Sequence, residues 1–158
     1  MGKKKGDYSA IGVVAKDKTT NTYYVIDSWG ERVKPDVFMK KIVEMTLKYQ
    51  PHGIAAEAQM AQEFFVDKLK EALRNANYPA HSRVHKIQQR QRKELRIEAM
   101  LPDIESGGIQ FSSNHALLLE QFERYGTGEH DDLIDAMEQA ISISKKVRAR
   151  VMEKPAWL

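Results

Sequence analysis

The chain has 158 residues, 42% of them hydrophobic and 30% charged, which is ordinary composition for one folded domain with a proper core. It has no cysteine, so disulfides, thiolate metal sites and thiol nucleophiles are excluded together. No apolar run approaches the roughly 20 residues of a membrane span, and the lysine-rich start does not lead into a signal-peptide core. The formal net charge of +3 says little about partners, but its distribution says more. Lys3, Lys4 and Lys5 open the chain, and Arg83, Lys86, Arg90, Arg92, Lys93 and Arg96 gather in its middle. Such clusters can follow a phosphate backbone. On charge alone a solvated helix face is the commoner reading.

Tyr8 to Ala15 is apolar and β-branched, and predicts a strand. The polar run Lys16 to Asn21 predicts a turn, and Thr22 to Ser28 a second strand, so the opening is a hairpin. Pro35 suits the first turn of a helix with Phe38, Ile42, Met45 and Tyr49 on one face, stopped by Pro51 and Gly53. Gly53 to Ala58 reads as a buried strand, followed by a helix with Ala61, Phe65, Leu69 and Leu73 at helical spacing. Strand, helix, strand, helix is the grammar of parallel crossover units. His81 to Ile87 reads as a further strand and Gln91 to Met100 as a basic helix, with Pro102 expected to kink or restart it and Gly107-Gly108 to end it. Ile109 to Ser112 reads as a short strand, and Asn114 as the cap of a helix that turns Leu118 and Phe122 inward. The last helix is expected from about His130 to Val147, with Leu133, Met137, Ala140, Ile141 and Ser144 on its packing face. The sum is one mixed α/β domain over 1–158, with 146–158 expected to be a loosely ordered tail.

Phosphate-loop, dinucleotide, nucleophile-elbow and zincin motifs are all absent, which leaves carboxylates in unusual places. Glu57 closes the small apolar strand IAAEA, where a charge is costly unless water or a partner reaches it. Strand ends are also where sites gather in α/β sheets, so solvated and functional readings stand level. The second group is Asp131, Asp132 and Asp135, whose spacing of three and four puts them on adjacent positions of a helix. Acidic residues at a helix N-terminus gain about 0.3–1 kcal/mol each from its dipole. Two carboxylates ~4 Å apart at an effective dielectric near 20 repel by on the order of 4 kcal/mol. Either the side chains splay into water or a cation sits between them, and Mg²⁺ with its taste for carboxylate oxygen is such a cation.

Four blocks in order, GDYSAIGVVAKD…YYVIDSWGER, GIAAEAQ, KELRIEAMLPDIESGGIQFS and GEHDDLIDAM, resemble the nuclease domain of phage terminase large subunits over nearly the whole chain. The resemblance implies an RNase H-like fold, a mixed central sheet flanked by helices. It implies a metal-dependent endonuclease that cuts double-stranded viral DNA during genome packaging in the cytoplasm of a bacterial host. Mg²⁺ or Mn²⁺ in a two-metal site would be the cofactor. Glu57 matches the family's second catalytic carboxylate, and Asp131 and Asp132 the acidic pair that supplies the third, Asp132 slightly ahead. Asp135 matches an acidic position one turn on, metal-proximal or structural, and Asp7 an aspartate that heads a strand near the metals, or a plain turn residue. Lys3, Lys4, Lys5 and the basic stretch Arg83 to Arg96 would contact DNA. Partners implied by the resemblance are the packaging ATPase domain, the small terminase subunit and the portal ring.

One departure is specific. In the family, a strand ending in Asp-Pro precedes the glycine-rich loop, and its aspartate is the first catalytic carboxylate. Here Met1-Gly2-Lys3-Lys4-Lys5-Gly6 lies inside that loop. The expectation is therefore a sheet N-terminally truncated by one strand, with weak metal binding and poor cleavage by the chain alone. Two other readings stay open: another RNase H-like nuclease such as a Holliday-junction resolvase, and a non-catalytic module that binds DNA or docks on packaging proteins.

Overall fold

In the computed structural model, residues 8–57, 63–127 and 130–153 are described, the side chains of 147–153 excepted. In chain order the elements are β1 (Ser9–Lys16), β2 (Tyr23–Glu31), α1 (Pro35–Tyr49), β3 (Ile54–Glu57), α2 (Glu63–Asn75), α3 (Ala80–Arg83), β4 (Val84–Ile87), α4 (Lys93–Glu105), β5 (Ile109–Phe111), α5 (Ala116–Glu123) and α6 (Asp132–Glu153). This is the mixed α/β architecture that the alternation of periods predicts. Contacts divide the chain into two units, residues 1–9 with 32–90 and residues 10–31 with 91–158. Among the described residues no helix is long and apolar enough to cross a membrane.

In the first unit β3 and β4 pair in parallel, Ile54 opposite Val84 and Glu57 opposite Ile87. Parallel neighbours need a crossover, and α2 supplies it. Val66, Leu69 and Leu73 of α2 are buried with Tyr78, Ala80 and Val84, and Met39, Ile42 and Val43 of α1 cover them. Phe38 and Phe65 stack at 5.8 Å, so the apolar stripes of α1 and α2 meet as their spacing predicts. The Tyr78 hydroxyl is sealed in this core and donates to the Pro51 carbonyl at 2.6 Å. The expected strand from His81 is half helix: Ala80 to Arg83 form a turn and only Val84 to Ile87 extend. Pro79 explains the difference, because its fixed φ suits the entry to a helical turn.

In the second unit the sheet order is β1-β2-β5. The short connection 17–22 can join β1 and β2 only as antiparallel neighbours. It is tied by Asp17 N–H to the Thr22 carbonyl at 2.9 Å and by Thr19 N–H to the Asp17 carboxylate at 2.8 Å, with Asn21 at a left-handed φ of 60°. β2 and β5 run parallel, Tyr23 opposite Ile109 and Val25 opposite Phe111, so this sheet is mixed. No described strand bridges it to the β3–β4 pair.

The helix α6 lies on β1 at backbone distance and seats the Leu133 side chain on Gly30 of β2. A Cβ on Gly12 would come 3.0 Å from the Met137 nitrogen, and one on Gly30 would come 2.5 Å from Leu133 Cδ1. Leu133, Ile134, Met137 and Ile141 of α6 are buried with Leu118 of α5 and with Ile97 and Met100 of α4. Phe111 of β5 stacks on Phe122 at 5.3 Å, so α5 turns its apolar face inward as expected. Asn114 does not cap it. His115 holds the cap position without a side-chain bond, while Asn114 N–H donates to Ser112 Oγ at 3.1 Å in a local hydroxyl turn. Nor does α4 restart at Pro102: the helix runs through the proline to Glu105.

Candidate metal and DNA site

Three acidic residues of the second unit, Asp131, Asp132 and Asp135, gather at the start of α6. The Asp131 carbonyl accepts from Asp135 N–H at 2.9 Å, so Asp131 stands where a cap residue stands and Asp132 opens the helix. A second donor of that first turn, Leu133 N–H, is taken by Gln121 Oε1 of α5 at 2.9 Å. The turn that carries the acids is thus held by a neighbouring helix as well as by its own backbone.

Two cations from α4 face it. Lys93 Nζ lies 3.2 Å from Asp131 Oδ1, 3.9 Å from Asp132 Oδ1 and 3.9 Å from Asp135 Oδ2. One turn on, Arg96 donates to Asp135 Oδ1 at 2.8 Å and also to Glu138, whose other oxygen accepts from Ser142. Gln139 donates to Asp135 Oδ2 at 3.2 Å. Burial separates these groups: Arg96, Asp135 and Glu138 are 9%, 6% and 8% exposed, while Asp131, Asp132 and Lys93 are partly open to solvent. Burial opposes the charge of Lys93, but the attraction of Asp131, Asp135 and Asp132 outweighs it and holds its pKa above the ordinary value. Burial opposes the charge of Arg96 as well, and Asp135 and Glu138 overcome it.

The structure therefore brings Asp131, Asp132 and Asp135 together, with Lys93 and Arg96 turned onto them. Arg92 is exposed in the same unit. In the first unit Glu57 ends β3, half-buried. Arg83 donates to the Pro51 carbonyl at 3.2 Å and lies over the Tyr78 ring, and Lys86 pairs with Asp67 at 2.7 Å and Glu63 at 3.5 Å. The hydrogen bond from Lys86 to Asp67 raises the lysine pKa. Arg90 is exposed. Asp7 and Lys3, Lys4 and Lys5 lie outside the described residues. Glu138 and Gln121 are the contributors that the sequence reading misses. Glu138 carries a readable sign, an acid one turn beyond Asp135; Gln121, twelve residues from its partner, carries none.

Carboxylate oxygens converging on one cation are the donor set a hard divalent ion takes. Among the described residues, however, no group of three or more His, Cys, Asp or Glu is placed to hold a metal ion as it stands. The point where Asp131, Asp132 and Asp135 converge is filled by the Lys93 ammonium.

Comparisons with known proteins concern the fold and the family. The fold resembles a fowlpox virus resolvase crystallised with substrate Holliday junction DNA, with TM-score 0.57 and 13% identity over 92% of this chain and 95% of that one. It also matches T. thermophilus RuvC in complex with a Holliday junction substrate, with TM-score 0.48 and 16% identity over 91% and 90% of the two chains. A search of curated proteins finds no match. The family model of the terminase RNase H-like domain matches residues 1–143. With nearly the whole chain matched and an RNase H-like architecture beneath it, the chain belongs to the terminase RNase H-like domain family.

Proposed function

We propose that this chain is the nuclease module of a phage terminase large subunit, cutting double-stranded viral DNA during genome packaging with Mg²⁺ or Mn²⁺. The observation that carries the reading is the convergence of Asp131, Asp132 and Asp135 on a single cationic point at the head of α6, in a chain of this family. Asp132 and Asp131, the more open acids, are the residues to hold a cation. Asp135, clamped by Arg96 and Gln139, orients the turn. Glu57, at the end of β3, is a further catalytic carboxylate on the family resemblance. A divalent ion, when bound, supplies charge neutralisation at the scissile phosphate and an activated water.

Arg90 and Arg92, both exposed, are suited to the phosphate backbone, together with Lys3, Lys4 and Lys5. The packaging ATPase domain, the small terminase subunit and the portal are the partners of this reading, in the bacterial host cytoplasm.

Plasmid nicking in Mn²⁺ tests it, with wild type compared with Asp132→Asn and Glu57→Gln and with EDTA as control. Nicking that needs the metal and falls in both variants is the expected result. Nicking untouched by either substitution sinks the assignment, and no nicking at all favours a DNA-binding or docking module. A second reading, junction resolution, is favoured by the likeness to the fowlpox virus resolvase fold. Cleavage of a four-way junction in preference to linear duplex decides for it.

A further inference from the structure

The two basic residues that α4 turns toward α6 hold its acids on different terms. Arg96 has a side chain only 8% exposed and is bonded to Asp135 and Glu138, so it has nowhere else to go. The Lys93 side chain is 35% exposed, at the first position of α4, on a flexible four-carbon stem. Among the described residues its short contact is Asp131 at 3.2 Å; Asp132 and Asp135 stand back at 3.9 Å. Those distances are far from the 2.0–2.1 Å that Mg²⁺ demands of its oxygens. The acids are thus spaced around an ammonium, and a divalent ion needs them drawn in around itself. The same point in space cannot hold both cations.

We infer that Lys93 is a built-in counter-ion, one that holds the acidic turn of α6 together until a divalent cation takes its place and must swing away for that cation to bind. The inference rests on the metal reading given above and adds a competition to it. Like charges at Asp131, Asp132 and Asp135 repel unless a cation stands among them. A removable lysine supplies that cation without closing the site, and its partly solvated stem lets the ammonium leave by side-chain rotation alone. Lys93 is a positioning residue in this scheme, acting on the metal through the acids they share.

Calorimetric titration with Mn²⁺, paired with melting curves in Mn²⁺ and in EDTA, tests this on the full chain as wild type, Lys93→Met, Lys93→Gln and Lys93→Arg. Lys93→Met is expected to melt lower in EDTA, to bind Mn²⁺ about tenfold or more tighter than wild type, and to gain more in melting temperature from the metal. Lys93→Gln, which keeps a polar stem if the apolar variant folds poorly, follows it. Lys93→Arg binds no tighter than wild type. A merely structural lysine lowers the metal-free melting temperature without tightening the metal. Folded neutral variants that bind Mn²⁺ no better than a wild type that does bind overturn the competition and leave the metal site standing. Absence of binding in every variant overturns both.

Discussion

Arg96 donates to Asp135 at 2.8 Å from a position less than a tenth exposed, and the same guanidinium nitrogen reaches Glu138 one turn along α6. One cation thus bridges two buried acids and pins α4 to α6. Removing one partner of a buried ion pair leaves uncompensated charge, at about 3–5 kcal/mol. Arg96→Met is expected to lower unfolding free energy by that amount, measured in urea. A loss under about 1 kcal/mol would mean that water reaches Asp135 and Glu138 easily.

Gln121 makes a smaller but better-aimed contribution. Its side-chain carbonyl is the acceptor for Leu133 N–H, and both residues are buried, so Gln121→Leu keeps the bulk and orphans the donor. The expected cost is about 1–3 kcal/mol in urea unfolding. Because that bond fixes the turn bearing Asp132, Mn²⁺ affinity should weaken as well, by roughly 10–100-fold. A stability loss with metal affinity unchanged would separate the cap from the acidic turn.

Tyr78 gives the first unit an alkaline limit. Burial raises its pKa above the ordinary 10.0, while the neighbouring Arg83 pulls the other way. The folded chain therefore keeps the phenolic proton after the unfolded chain has lost it. The sign follows: this contribution is intact below pH 10.0 and is lost as pH rises through the higher folded value. Tyr78→Phe should lose about 1 kcal/mol at neutral pH, with its bond to Pro51, yet decline less steeply in alkali. Urea midpoints of both proteins across the alkaline range record the difference; parallel declines would refute it.

On the proposed function, binding to duplex DNA should be steeply salt-dependent and tolerant of sequence, since exposed arginines are suited to phosphate contacts. Arg90→Ala and Arg92→Ala should each weaken binding uniformly and reduce the salt slope by about 1. Lys86→Ala should matter less, since Lys86 already pairs with Asp67. Fluorescence anisotropy over a salt series gives all three slopes.

Much of this is written in local periodicity. The stripes of α1 and α2, the opening hairpin and the acid spacing on α6 follow from side-chain period alone, and Asp131, Asp132 and Asp135 do share one face. What periodicity cannot say is what covers a face. A run such as Arg92-Lys93-Glu94-Leu95-Arg96 looks the same whether its cations meet water, phosphate or carboxylates, and here Lys93 and Arg96 meet carboxylates. Asn114 fails as a cap for a related reason, because the Ser112 hydroxyl offers its backbone a nearer partner. The bond from Leu133 to Gln121 joins two helices and leaves no period to find.

The missing side chains at Gly12 and Gly30 act as a height gauge. Met137 rests on Gly12 backbone against backbone, and the Leu133 side chain fills the space that Gly30 leaves open. A displacement of the α6 turn at Asp132 would meet β1 through one close backbone contact and β2 through one buried leucine. The acidic turn is therefore a stiff anvil. Under the proposed competition, what gives way to an incoming cation is the partly exposed Lys93 side chain that faces this turn.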